Sequence, residues 1–91
     1  MNELDVLLLF YDEMKSQGLN RDKLFLSMDE SALKLLEEKY GKTATLKQLH
    51  WYTDICLANE WLERTTIDPG YNFLSLTDSG LQIAIVHRYR P

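Results

Sequence analysis

Two short β-prone stretches flank a turn sequence in the second half of this 91-residue chain, and this arrangement restricts the possible folds more than any other feature. Residues 61–67 and 71–76 contain mainly aromatic, β-branched and leucine side chains, which predicts a pair of strands. Between them, Asp68-Pro69-Gly70 has turn chemistry, because proline presets its own φ and glycine accepts a positive φ. The segment is therefore predicted to be a β-hairpin.

The turn also predicts how the two strands pair. With the proline and glycine as the loop, Ile67 should face Asn72, and Thr65 should face Leu74. Side chains alternate between the two faces of a strand, so Ile67, Leu74 and Leu76 are expected on the core face.

The first quarter of the chain predicts a helix and a short strand. Residues 3–17 place leucine, tyrosine and methionine at helical spacing, and Gly18 stands where a helix ends in the left-handed conformation. After it, Leu24, Leu26 and Met28 alternate with other residues, which is typical of a strand.

Two further helices follow with a short connection. A capping box that begins at Ser27 predicts a helix from about Met28 to Tyr40, with Gly41 ending it. A second box, opened by Thr45 with Gln48 three residues later, predicts a third helix that extends to about residue 60. Two helices joined in this way are typical of a helix-turn-helix.

The order of these elements, closed by a last helix that Thr77 caps, resembles the winged helix-turn-helix family over nearly the whole chain. The run Leu74-x-Leu76-Thr77-x-x-Gly80 is similar to the closing pattern of small bacterial winged-helix regulators. The resemblance implies an α+β fold, with a three-helix core, a short strand, a two-stranded wing and a C-terminal helix.

The same resemblance implies binding of double-stranded DNA and control of transcription. In that family the third helix usually lies in the major groove, and the wing touches the DNA backbone or the minor groove. Carried over to this chain, Lys47 and Arg64 would contact phosphate, Gln48 would read a base edge, and Trp51 would lie beside them.

The charge of these elements favours a different partner. Residues 44–75 hold two basic side chains, Lys47 and Arg64, and four acidic ones, so their net charge is −2. A helical wheel directs Lys47, Trp51, Asp54 and Ala58 outward with Ile55 beside them, and an exposed tryptophan is typical of a protein interface. The alternative hypothesis is therefore an acidic winged helix that binds a protein through helix three and the wing, without DNA.

The terminal helices carry more apolar side chains than one core contact requires. This excess predicts a homodimer whose interface contains Val6, Leu9, Phe10, Ile83 and Val86. On this hypothesis Phe10→Glu should yield a folded monomer.

Composition excludes several other classes. Hydrophobic residues make up 45% of the chain and charged residues 26%, which is typical of one globular domain, here residues 1–91. No apolar run approaches the ~20 residues that span a bilayer. The acidic start is unlike a signal peptide, and a lone cysteine suits the reducing cytoplasm, so a cytoplasmic protein is expected.

No residue pattern predicts catalysis or a cofactor. The chain has four glycines without a phosphate-binding loop, and no nucleophile elbow, so a non-enzymatic protein with no metal or other cofactor is expected. His50 and Asp54 stand four residues apart, which predicts a surface pair rather than a metal site. Cys56 points away from His50 on the wheel, so a buried thiol is expected, and Trp61 is expected in the core.

Overall fold

Four α-helices and a two-stranded antiparallel sheet form the structure, a computed structural model that describes residues 1–90. The elements in chain order are α1 (Glu3–Gln17), α2 (Glu30–Tyr40), α3 (Leu46–Ala58), β1 (Leu62–Arg64), β2 (Leu74–Leu76) and α4 (Asp78–Arg88). The predicted α+β class is confirmed, while Pro91, the last residue of the predicted domain, lies outside the described residues. No helix in residues 1–90 has the length and apolar character needed to cross a bilayer.

Helix α1 lies at the centre of the core and packs against α3, α4 and β2. All six residues from Val6 to Tyr11 are buried, so this part of the helix is covered on every side. Val6, Leu9 and Phe10 are each 0% exposed. The expectation that these three side chains extend beyond the core to a second subunit is therefore wrong.

Helix α4 covers one side of α1 and keeps an open outer face. Ala84 is fully buried, Ile83 is partly buried against the core, and Val86 is 61% exposed. Of the five residues expected at a dimer interface, Val86 alone is largely exposed in the described chain.

Most helix ends follow the sequence signals. Gly18 and Gly41 both adopt φ of 65° and end α1 and α2 as predicted. The Thr45 capping box is confirmed, and so is the Thr77 cap, whose hydroxyl accepts from the Gly80 amide at 3.0 Å. Helix α3 ends at residue 58, two residues earlier than predicted.

The predicted Ser27 cap of α2 is wrong. The Ser27 hydroxyl accepts a hydrogen bond from the Phe73 amide at 3.1 Å, so it joins the hairpin. Asp29 caps the helix instead, because its carboxylate accepts from the Ser31 and Ala32 amides. Helix α2 therefore begins at residue 30 rather than 28.

The hairpin pairs one residue out of the predicted register. Leu62 pairs with Leu76, and Arg64 with Leu74, so Arg64 takes the place expected of Thr65. Ile67, expected on the core face, is fully exposed in the long connection 65–73, which we call the wing.

The wing has its own turn chemistry, which explains the shift. The Asp68 carboxylate accepts from the Gly70 amide at 2.8 Å, and Gly70 does not adopt the expected positive φ. Phe73 adopts a positive φ instead, of 54°. This left-handed residue breaks the predicted strand 71–76, so that β2 begins only at Leu74.

The predicted strand at residues 24–28 is reduced to one bridge. Leu26 and Leu74 exchange backbone hydrogen bonds of 3.0 and 2.8 Å, which attaches this segment to the free edge of β2. Leu24 and Met28 are buried as the alternation predicts.

Candidate functional site: the outer face of helix α3

One row of exposed side chains runs along the outer face of α3. Lys47, Trp51, Asp54 and Ala58 are all exposed, as the helical wheel predicts. The inward face of α3 holds Leu49, Thr53 and Cys56, which are all buried. Leu46 is 36% exposed and Tyr52 is partly buried.

The C-terminal half of this row forms a shallow groove. Trp51, Asp54, Ile55 and Ala58 line a volume of about 260 Å³. Trp51 is 67% exposed, although an indole of this size is normally largely buried. Three apolar side chains and one carboxylate therefore meet at an open surface, which we call the α3 groove.

The base of the wing is attached to this helix through Tyr71. The Tyr71 ring stacks on the His50 ring, with centroids 3.8 Å apart and planes inclined by 11°. Its hydroxyl donates to Asp54 at 3.1 Å. Burial and this hydrogen bond raise the pKa of Tyr71.

His50 completes the attachment. Its Nε2 lies 2.8 Å from the Met28 carbonyl oxygen, so this nitrogen must carry a proton and donate. The Met28 amide in turn donates to the Tyr71 carbonyl at 2.8 Å. The expected pair of His50 with Asp54 is thus replaced by separate contacts of each with Tyr71. Within residues 1–90 no group of three or more potential metal-ligating side chains comes together.

The residues expected to contact DNA are only partly arranged for that role. The Gln48 side-chain oxygen accepts from the Thr45 amide at 2.9 Å, so it serves the helix cap. Reading an adenine edge requires both the oxygen and the amide group of a glutamine. The Nε of Arg64, at the end of β1, donates to the Gly70 carbonyl of the wing at 3.1 Å. Lys47 is exposed at the start of the row, at the end opposite the wing contact.

The acidic charge of this region is not neutralised by ion pairs. All six charged side chains of residues 44–75 are exposed, and they sum to −2. The ion pairs in residues 1–90 lie elsewhere and join Arg21 to Asp78, Lys39 to Glu13, and Arg88 to Asp12.

Cys56 lies on the opposite side of α3, in the core. Its side chain is 0% exposed, and its thiol donates to the Glu3 carbonyl at 3.5 Å. Burial raises the pKa of the thiol to about 12. The expectation of a buried thiol is confirmed.

This burial predicts the reactivity of Cys56. At pH 8 we expect the native chain to resist iodoacetamide, because only an exposed thiolate reacts, and alkylation to become fast in urea. Mass spectrometry of the alkylated protein measures both rates. Equal rates with and without denaturant would contradict the burial of the thiol.

Sequence reasoning missed the contact that organises the site. It placed Tyr71 in the wing without a partner, and Met28 contributes only backbone atoms, which no side-chain pattern reveals. Compared with known proteins, the chain matches no family model, no curated protein and no solved structure at a significant level.

Proposed function

We propose that this chain is a winged-helix domain that binds another protein through the α3 groove and the neighbouring wing. The winged-helix assignment is supported by the order of elements and by the Leu26–Leu74 bridge, which adds a third strand position beside the hairpin. It is also supported by the connection of residues 41–45 between α2 and α3, as in a helix-turn-helix.

The observation that carries the proposed function is the exposed Trp51 beside an apolar groove. Tryptophan is enriched among the residues that contribute most to binding at protein interfaces, and such residues pair with pockets near the centre of the interface. Ile55 and Ala58 supply the adjoining apolar surface. The contacts of Tyr71 hold the wing against α3, so little ordering would be required when a partner binds.

The same surface is poorly suited to DNA. Phosphate binding depends on clustered Lys and Arg, yet residues 44–75 carry a net charge of −2 and the wing contains neither Lys nor Arg. The Gln48 oxygen is engaged in the helix cap. These observations favour a protein partner over the DNA that the family resemblance implies.

Trp51→Ala should abolish capture of a protein partner while leaving the fold intact. Because the side chain is 67% exposed, we expect the free energy of unfolding to change by no more than about 0.5 kcal/mol. Urea denaturation and affinity capture with the purified chain measure the two effects. Val86→Ala is the matched control, since Val86 is 61% exposed on α4 and should retain the partner.

DNA binding is tested in the same preparation. We expect mixed-sequence duplex DNA to bind no tighter than millimolar at about 50 mM salt, measured by fluorescence titration. If the duplex instead binds at micromolar concentration, and Lys47→Ala weakens that binding, the result would contradict the proposed function and indicate DNA binding. A large loss of stability in Trp51→Ala would instead show that this side chain belongs to the core.

A further inference from the structure

The α3 groove has the dimensions of a site for an anchoring side chain. Its volume of about 260 Å³ lies below the ~300–1,000 Å³ of pockets that enclose small-molecule ligands. It opens to the protein surface between Trp51 and Ala58, so an apolar side chain of a docked segment can enter it.

The charge of the groove is negative along its wall and at one end. The Asp54 carboxylate forms part of the wall. Beyond Ala58 the helix ends, and the C-terminal end of its dipole carries a partial negative charge. Backbone amides of residues 59–61 bond the carbonyls of Ile55, Cys56 and Leu57 there, but they add no positive charge. Of the four helices in residues 1–90, α3 alone has no basic residue in its last turn, and a neutral amide, that of Asn59, bonds the Ile55 carbonyl there.

The positive charge of the row lies at the opposite end. Lys47 precedes Asp54 by seven residues, which corresponds to about 10 Å along a helix. The row therefore changes from basic at the start of α3 to acidic at its end, with the apolar groove in the acidic half.

A second copy of the chain fits this surface poorly. A two-fold pairing centred on the groove would set the Trp51 of each copy over the Ala58 of the other, but it would also bring both Asp54 carboxylates close to the axis. Like charges in a desolvated interface are costly, and each copy carries a net charge of −4.

We infer that the occupant of the α3 groove is a cationic amphipathic segment of another protein, with an apolar anchor beside Trp51 and Lys or Arg side chains over the C-terminal turn of α3. This inference rests on the proposed function and specifies the chemistry of the partner. The basic side chains would approach the Asp54 carboxylate and the C-terminal end of α3, whose last turn holds no basic side chain.

Two synthetic peptides of about 15 residues test the inference. Both carry the same leucine stripe, one flanked by Lys and the other by Glu, and each is titrated into the ¹⁵N-labelled chain while the indole N–H signal of Trp51 is followed. We expect the Lys peptide to bind at least about tenfold more tightly at low salt, with a difference that shrinks as salt increases.

Asp54→Asn isolates the charge, because asparagine keeps an oxygen that can accept from Tyr71. We expect this variant to bind the Lys peptide about two- to fivefold more weakly and the Glu peptide no more weakly. Glu37→Gln is the matched control, since Glu37 is an exposed carboxylate on α2 and its loss should change neither affinity.

The possible failures are distinguishable. Equal binding of both peptides at Trp51, or tighter binding of the Glu peptide, would overturn the cationic inference and leave the groove as a protein-binding surface. If neither peptide at millimolar concentration changes the chemical shift of the Trp51 indole N–H, both proposals would be overturned. A Trp51 shift that depends only on protein concentration would identify a second copy as the occupant and overturn the inference.

Discussion

Gly80→Ala should destabilise the chain by about 3 kcal/mol or more, although alanine is normally the better helix former by ~1 kcal/mol. A Cβ at position 80 would lie 2.0 Å from the Trp61 carbonyl oxygen and 2.8 Å from its carbon. That carbonyl cannot easily move, because the Thr77 amide donates to it at 3.1 Å and the Thr77 hydroxyl donates to the preceding carbonyl, that of Glu60, at 2.6 Å. The close approach couples the start of α4 to the end of α3.

Urea denaturation followed by circular dichroism measures this effect. Ser79→Ala is the matched control, because Ser79 is the exposed neighbour in the same helical turn and its substitution should change the stability by less than about 0.5 kcal/mol. A stabilised Gly80→Ala variant would mean that α4 does not pass this close to the Trp61 backbone.

Phe10→Glu should unfold the chain rather than release a folded monomer. Phe10 is 0% exposed at the centre of α1, and truncation of a buried phenylalanine to alanine already costs about 3–5 kcal/mol. Glutamate adds the cost of an unpaired buried charge, so the total approaches the ~5–15 kcal/mol that stabilises a typical domain. The far-ultraviolet circular dichroism and the near-ultraviolet signal of the aromatic side chains should both collapse.

Val86→Glu provides the comparison on the exposed face of α4. Because Val86 is 61% exposed, we expect this substitution to change the free energy of unfolding of the chain by no more than about 0.5 kcal/mol. If Phe10→Glu instead stays folded with an unchanged melting temperature, the buried position of α1 is incorrect.

The sequence predicted the helix ends well where the signal is local. Gly18, Gly41, Thr45 and Thr77 act within one turn of the chain, so no distant contact is needed to interpret them. Ser27 failed as a cap because its hydroxyl bonds Phe73, which is 46 residues away in the sequence.

Burial was harder to predict for α1 than for α3. On α3 the polar and apolar side chains alternate at helical spacing, so the outward positions of Lys47, Trp51 and Asp54 followed from the wheel. On α1 the run from Val6 to Phe10 is apolar on every side. Such a run fits a dimer interface as well as an enclosed core helix, and only the positions of α3, α4 and β2 distinguish the two.

By itself the sequence determined the class of the fold, most helix limits and the outward row on α3, because these depend on neighbours within a few residues. Tertiary structure decided the hairpin register, the burial of Val6, Leu9 and Phe10, and the contact of Tyr71 with His50 and Asp54. Each of these depends on groups that approach only after the chain has folded. The strand register followed from the turn that the folded wing adopts, with the Asp68–Gly70 hydrogen bond and the left-handed Phe73, rather than from the expected two-residue loop.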